Sequence, residues 1–406
     1  GMMVVGTSAA SYKDVDSKDN LEAIEVLKMV GIMTGDDKGN FNPDKMVTRN
    51  EMAVVMCNLL GLKTGGTHPF TDVPAWAAPY VAACYNNGII AGVSATQFNG
   101  DANVTAVQAG LMLMKALGYF GYAGEFGDSW KLSVVKQADK INLYDGINAY
   151  TDQDMTRNEV AKMVLNALES TIQVVTEEGG VQVDGNGVSV NVKATYRYDD
   201  AANNSGKDYR SDSRDNAMQL CEKIYGNDLK KIENYSDGDD FGRPATKWTY
   251  NCGDKSTTVY DKPVATYTEE FKPCDLCKDL SEKKEAKVTV AYVDGVETSA
   301  AAKAYVDTFK ATDTKTALGA QGQLVEVYEN EKGEDYTVIV INTYLAKVTK
   351  VIEEVKDKND HVRVEASVNV TVYGTKVNKD GAVTAEAVTG NFETTGFAKN
   401  DYALVT

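Results

Sequence analysis

Apolar residues in the first part of the chain recur at helical spacing. Met52, Val55, Met56, Leu59 and Leu60 fall at i, i+3, i+4, i+7 and i+8, the buried face of an amphipathic helix. Thr48 and Glu51 precede them at capping-box spacing, in which the hydroxyl takes a first-turn amide and the carboxylate reaches back to the Thr amide. Gly61 is a C-terminal stop. The pattern returns twice. Thr105 and Gln108 precede Ala109, Met112, Leu113, Ala116 and Leu117, and Thr156 and Glu159 precede Val160, Met163, Val164, Ala167 and Leu168. Ahead of each capped helix stand another helical pattern and a turn, Gly31 to Gly35, Gly88 to Gly92, and a third in which Asn142 replaces the helix-ending Gly. The spacing predicts helix, turn, loop and capped helix over 11–62, 70–118 and 126–170. No helix pair can bury its own face, so the three units are expected to share one core.

After Leu168 the period changes. Residues 171–180 read as a polar connector, and period-two alternation dominates 181–406. Val188, Val190 and Val192 share one strand face, as do Val288, Val290 and Tyr292, which run into an Asp294-Gly295 hairpin signal. Leu324 to Tyr328 and Tyr336 to Ile341 flank a second hairpin, and Val362 to Val372 is the longest alternation. Helical interruptions are expected near 215–225 and 299–310. The fold class is therefore α+β multidomain, an all-α repeat domain followed by one or two β-rich, sandwich-like domains.

The chain has 406 residues and a formal net charge of -17, which argues against nucleic acid and anionic membranes as general partners. That acidity suits a solubilising surface better than bound cations. The loops Asp36 to Asn40 and Asp237 to Asp240 lack the EF-hand pattern and read as solvated turns. No run of eighteen apolar residues spans a membrane. Residues 1–10, an apolar run followed by small residues, look like the remnant of a secretory signal and imply export. The last strand pattern reaches Thr406 without a stop, so the native chain is expected to extend further.

Of six cysteines, Cys57 and Cys84 sit on apolar helix faces as small buried hydrophobes. Cys274 and Cys277 form a C-x-x-C with Cys221 and Cys252 upstream, which leaves three readings open: a zinc site, disulfides, or free thiols. Cys274 and Cys277 are the only metal candidates. His68 and His361 lie far apart, and no G-x-S-x-G, H-E-x-x-H or Cys/His constellation is present. No catalytic residue and no cofactor is expected.

Several motifs carry a resemblance. Tyr12-Lys13-Asp14-Val15 and Phe70-Thr71-Asp72-Val73 open the first two units, Gly-Ile-x-x-Gly turns follow, and Gly39-Asn40-Phe41-Asn42-Pro43 forms a loop. Thr-Arg-Asn-Glu occurs at 48–51 and 156–159. Together they resemble three consecutive copies of the S-layer homology domain. The resemblance implies a compact pseudo-threefold fold that holds exported proteins on the Gram-positive cell wall. It also implies binding of secondary wall polysaccharide, often bearing a pyruvate ketal, in grooves between repeats. Asp239 to Pro244 with Trp248-Thr249-Tyr250 is similar to segments of clostridial surface proteins that carry this domain.

On that basis Arg49 and Arg157 are the leading ligand residues. A guanidinium engages a carboxylate bidentately, and a helix start offers free amides and a positive dipole end. Ala106 takes the Arg position in the second unit, so two competent grooves and one weak or empty one are expected. The competing reading pairs each Arg with a carboxylate between repeats. Asp14, Gly35, Asp72, Trp76 and Gly92 are groove candidates by the same match, with Asp14 and Asp72 equally suited to capping the first helices. Thr48, Glu51, Thr105, Gln108, Thr156 and Glu159 are structural caps. The expected function is anchoring on the wall outside the cell, with a structural, self-assembling β half. The alternatives are a wall-anchored glycan hydrolase and a carbohydrate-binding adhesin.

Overall fold

Thr48, Thr105 and Thr156 have extended backbones and each starts a helix, the geometry of an N-cap. The computed structural model describes residues 11–16, 18–177, 180–183, 189–192, 194–198, 217–236, 238–297, 299–330, 335–358, 361–377 and 383–406. The repeats supply helices α1 (Leu21–Met29), α2 (Arg49–Leu60), α3 (Ala78–Asn86), α4 (Ala106–Ala116), α5 (Trp130–Lys140) and α6 (Arg157–Leu168). Gly31, Gly88 and Asn142 all have positive φ at the turns, so Asn142 does take the glycine's left-handed position.

The capped-helix stripes are buried together. Met52, Met56, Leu59, Leu113, Met163 and Val164 belong to one core that also contains Phe41 and Phe98. Each such side chain contributes roughly 1.5–3 kcal/mol of burial. The extended segments before the three capped helices join in a ring: Val47 N donates to Met155 O at 3.0 Å, Met155 N to Val104 O at 3.0 Å, and Val104 N to Val47 O at 2.8 Å.

The fold of this unit does not stop at Leu168. Ile172 N donates to Met218 O, Gln173 N to Leu117 O and Leu220 N to Ser170 O. Within the expected connector 171–180, Gln173–Glu177 is a strand paired with Thr195–Tyr198. Helix α7 (Leu220–Tyr225) and a sheet of Leu229–Ile232, Ala245–Tyr250 and Lys255–Tyr260 follow. Leu220, Cys221, Leu229 and Trp248 join the helical core, and Lys231 Nζ meets Glu169 at 2.6 Å. One compact unit therefore runs to Glu233 and includes Thr246–Val259; the other comprises Asn234–Ala245 and Tyr260–Thr406.

The second unit is mixed α+β. Its five-stranded sheet runs Thr308–Lys310, Glu285–Val293, Tyr336–Asn342, Gln323–Glu329, Ala265–Tyr267. The hairpin expected between Leu324 and Ile341 is present, with those two residues paired. Tyr336–Asn342 also pairs in parallel with Glu285–Val293, and Tyr336 to Ile341 are buried without alternation, as a central strand requires. One face of this sheet, with Val325, Val327, Val338 and Val340, packs on helices α8 (Pro273–Asp279) and α9 (Ala300–Lys303). The other carries Leu324, Tyr328, Ile339 and Ile341 and the buried Arg243–Glu326 ion pair at 2.7 Å. A second, four-stranded antiparallel sheet runs Val383–Glu393, Ser367–Val377, Tyr344–Ile352, Tyr402–Val405.

Two strand expectations change. Asp294 and Gly295 do form a tight turn with positive φ, but only Val293 and Val296 pair across it before the chain enters α9. The alternation from Val362 to Val372 breaks at Glu365-Ala366, with Val362–Val364 pairing Val355–Lys356 and Ser367–Val377 entering the four-stranded sheet. The C-x-x-C lies on α8, which the β-rich reading missed because seven residues hold too few turns to show a period. Of the first strand, Ser189–Val192 forms, while Val188 lies outside the described residues.

Candidate functional site

The three capped helices differ at their first residue, which is Arg49, Ala106 or Arg157. Around Thr48, Glu51 N donates to Thr48 Oγ1 at 3.2 Å and Thr48 N to Glu51 Oε2 at 2.9 Å. Thr156 and Glu159 repeat both bonds at 3.2 and 2.9 Å. At α4 the cap is one-sided. Gln108 Oε1 accepts from Thr105 N at 3.3 Å, while Thr105 Oγ1 is buried without a partner.

The next two amides of each helix are also taken. Arg49 N and Asn50 N donate to Ala102 O and Gly100 O, Ala106 N and Val107 N to Gln153 O and Thr151 O, and Arg157 N and Asn158 N to Lys45 O and Pro43 O. The free amides expected beside the two Arg residues are therefore spent on docking each helix start against a loop of another repeat.

The guanidinium groups extend the same contacts. Arg49 Nε donates to Phe98 O at 3.1 Å and Nη2 to Ala91 O at 3.0 Å, with the group 4.6 Å over the Phe98 ring. Arg157 Nε donates to Phe41 O at 2.8 Å and Nη2 to Thr34 O at 2.9 Å, 4.7 Å over the Phe41 ring. The hydrogen-bond partners of both guanidinium groups are backbone carbonyls, and a carboxylate of another repeat stands near each. Burial lowers the pKa of both Arg side chains, and Asp72 near Arg49 and Glu51 near Arg157 oppose the shift. In the repeat facing Ala106, Tyr144 lies against Gly110 and reaches the Ala106 carbonyl at 3.5 Å.

Asp14 accepts from Phe41 N at 2.8 Å and Asn42 N at 2.7 Å, and Asp72 from Phe98 N and Asn99 N at the same distances. They pin the loops that carry the two aromatic rings. They do not cap the first helices, whose N-caps are Asn20 and Ala77. Gly35 and Gly92 have no room for a side chain: a Cβ would collide with Tyr12 and Asn40 O at one, and with Phe70, Ser94 O and Gln97 O at the other.

A cleft of about 460 Å³ opens beside Arg49, lined by Ala91, Gly92, Gln108, Lys115, Phe126 and Trp130 among others. Trp76 is not among its lining residues and is 54% exposed; Trp130, at the start of α5, is. Sequence reasoning named neither Trp130 nor Lys115. A Trp at the opening of the third repeat's first helix, as Trp76 opens the second's, was the signal for one. Lys115 on a half-buried helix face gave none. Lys115 Nζ donates to Gly88 O at 2.9 Å, and burial lowers its pKa.

Cys221 and Cys277 are buried, Cys252 is exposed and Cys274 half-exposed, and all six are free thiols. Cys277 donates to Phe309 O at 3.4 Å. Among the described residues no three His, Cys, Asp or Glu side chains gather as metal ligands, so Cys274 and Cys277 are not part of a zinc set there. The Asp36 carboxylate is taken by the amides of Lys38 and Asn40 and the side chains of Asn40 and Asn42, as a closed turn. Asp237 lies outside the described residues, and Asp239 accepts from the amides of Phe241, Gly242 and Arg243.

Residues 11–53 and 69–105 match the S-layer homology domain, so the chain carries at least two of its repeats. The chain is 38% identical over 128 residues to a surface-layer 125 kDa protein of Lysinibacillus sphaericus, 30% of this chain and 11% of that protein. It is 27% identical over 180 residues to the middle cell wall protein of Brevibacillus brevis, 43% of this chain and 16% of that one. An endoglucanase of a Bacillus species is 27% identical over 153 residues, 34% of this chain and 16% of the enzyme. The matches span between 11% and 16% of the length of these relatives. They identify a surface protein of the Gram-positive cell wall or S-layer, outside the cell.

Proposed function

We propose that residues 11–170 anchor the chain by binding an acidic secondary wall polysaccharide, one carrying a pyruvate ketal, in clefts between repeats. In this reading 126–170 is a third S-layer homology repeat, and the three stand about a pseudo-threefold axis. The closed ring through Val47, Val104 and Met155 supports that arrangement, as does the return of the full capping box at Thr156. The observation that carries the binding role is the cleft at Arg49, where a buried guanidinium, an ammonium and the Trp130 ring border one opening. A planar anion on a sugar ring needs those groups together.

Arg49 and Arg157 each hold two carbonyls, so replacing both with Ala disturbs the fold as well as the cleft. The cleaner test alters the polymer. The full chain is mixed with purified Gram-positive walls before and after removal of the ketal-pyruvate. Sedimentation with intact walls and loss from stripped ones is expected; equal sedimentation with both would overturn the ligand assignment. The second unit serves a structural, self-associating role in this reading. The endoglucanase relative favours one other, a wall-anchored hydrolase, and release of reducing sugar from wall polymers by the full chain would establish it.

A further inference from the structure

The two Arg positions share one frame and differ in the charges around them. Arg49 and Arg157 bond matching carbonyls, Ala91 and Phe98 in one case, Thr34 and Phe41 in the other. Gln108 stands three residues after Thr105, as Glu51 does after Thr48, and Lys115 stands ten after Thr105, as Asn58 does after Thr48. Each of the last pair reaches the turn of its own repeat, Lys115 Nζ to Gly88 O at 2.9 Å and Asn58 Nδ2 to Ile32 O at 3.1 Å.

Glu51 is the carboxylate that acts most on the Arg157 cation, with Asp14 and Asp36 adding to it. Glu51 is ionised there, held by Lys45 Nζ at 2.7 Å. At Arg49 the neutral Gln108 amide and the half-buried Lys115 ammonium line the same cleft, and Asp72 is the one carboxylate acting on the guanidinium. An incoming anion meets Arg49 and Lys115 with the single carboxylate Asp72 nearby, whereas at Arg157 it meets one guanidinium among the carboxylates Glu51, Asp14 and Asp36. Partial burial weakens screening by salt without removing it, so this difference acts across the cleft and is greatest at low salt.

Resting on the wall-polymer reading above, we propose that the acidic group of the saccharide is taken in the Arg49 cleft alone, with Lys115 as the cation that contacts it. The Arg49 guanidinium, with Nε and Nη2 already bonded, contributes its charge and its remaining Nη1 face. The Arg157 position takes no anion.

The test measures binding of the full chain to purified Gram-positive wall sacculi at low and moderate salt. It compares wild type with Lys115→Asn, Lys115→Arg and the double change Glu51→Gln with Asn58→Lys. Lys115→Asn copies the residue that the first repeat already accommodates, so the fold is expected to persist, checked by its melting transition. Losing one charge-assisted contact should weaken binding about tenfold to a hundredfold and flatten its salt dependence. Lys115→Arg should restore both. The double change should raise the number of binding sites per chain from one to two. Tight wild-type binding that Lys115→Asn leaves unchanged overturns the assignment of Lys115 and leaves wall binding standing. No wild-type binding at all overturns the wall-polymer reading itself, and this assignment with it.

Discussion

The indole Nε1 of Trp248 donates a 2.8 Å hydrogen bond to Glu22 Oε1, in the first turn of α1 and 226 residues earlier in the chain. Lys255 Nζ reaches Met29 O at the other end of the same helix, at 3.2 Å. The segment 246–259 thus clamps the first repeat's first helix at both ends, and the Trp248 ring is wholly buried. Trp248→Ala should cost about 3–5 kcal/mol, the usual range for a buried Trp. A chain cut after residue 170 should unfold at clearly lower urea than the full chain. Equal urea midpoints for the cut and full chains would show that the three repeats stand without the clamp.

The unequal caps give a second expectation. Thr48→Ala and Thr156→Ala each remove a bond to a first-turn amide and should cost roughly 1 kcal/mol. Thr105→Val should be neutral or stabilising, because Thr105 Oγ1 is buried without a partner and valine keeps its shape. Thermal melts of the three variants would separate the cases, and a Thr105→Val loss matching Thr48→Ala would mean the hydroxyl is satisfied after all.

Gly35→Ala and Gly92→Ala should each destabilise by about 1–3 kcal/mol through overpacking. The space for the new methyl is already filled by Tyr12 or Phe70 and by loop carbonyls. Gly31→Ala meets no atom and suffers only from its positive φ, at 78°. Comparing its smaller loss with the other two tells steric glycines from conformational ones.

Local rules made the repeat half readable. Caps, stripes and turn glycines act within a few residues, so Thr48, the Met52 stripe and even the Asn142 substitution could be read from the chain. The partners of Arg49 and Arg157 could not, because Ala91, Phe98, Thr34 and Phe41 reach them only through tertiary packing. The same holds for the Trp248 clamp, whose partners Glu22 and Met29 lie 226 residues from Trp248 and Lys255 in the chain. In the second unit, alternation located strands but not their neighbours. It ran Val362 to Val372 together across a sheet boundary, and it could not see that Tyr336 to Ile341 lies between two strands.

Thiol reactivity should follow burial. Cys252 is exposed, whereas burial raises the pKa of Cys221 and Cys277. Cys57 and Cys84 face each other at 3.5 Å inside the helical core. A disulfide reagent added to the native chain should give one fast reaction, lost in Cys252→Ser, then a slower one at Cys274. The remaining four should react only on unfolding. More than two thiols reacting in the native state would contradict this packing.

Stability should fall with acid through the loop carboxylates. The Asn40 amide and the Asn42 side chain draw Asp36 from its ordinary 3.8 to about 2. The amides of Phe98 and Asn99 lower Asp72 in the same way. For Glu51 burial pushes upward, but Lys45 and the Thr48 amide outweigh it and the net shift is downward. All three bind protons more weakly folded than unfolded, so stability rises with pH wherever the unfolded chain takes up more protons. Their contribution is complete above the unfolded values, 3.8 for the Asp residues and 4.5 for Glu51, and is lost as pH falls through the folded ones. Urea midpoints measured at pH 5 and pH 3 should therefore drop for wild type and drop less for Asp36→Asn and Asp72→Asn, whose amides do not titrate. Parallel losses in all three proteins would place the acid sensitivity elsewhere.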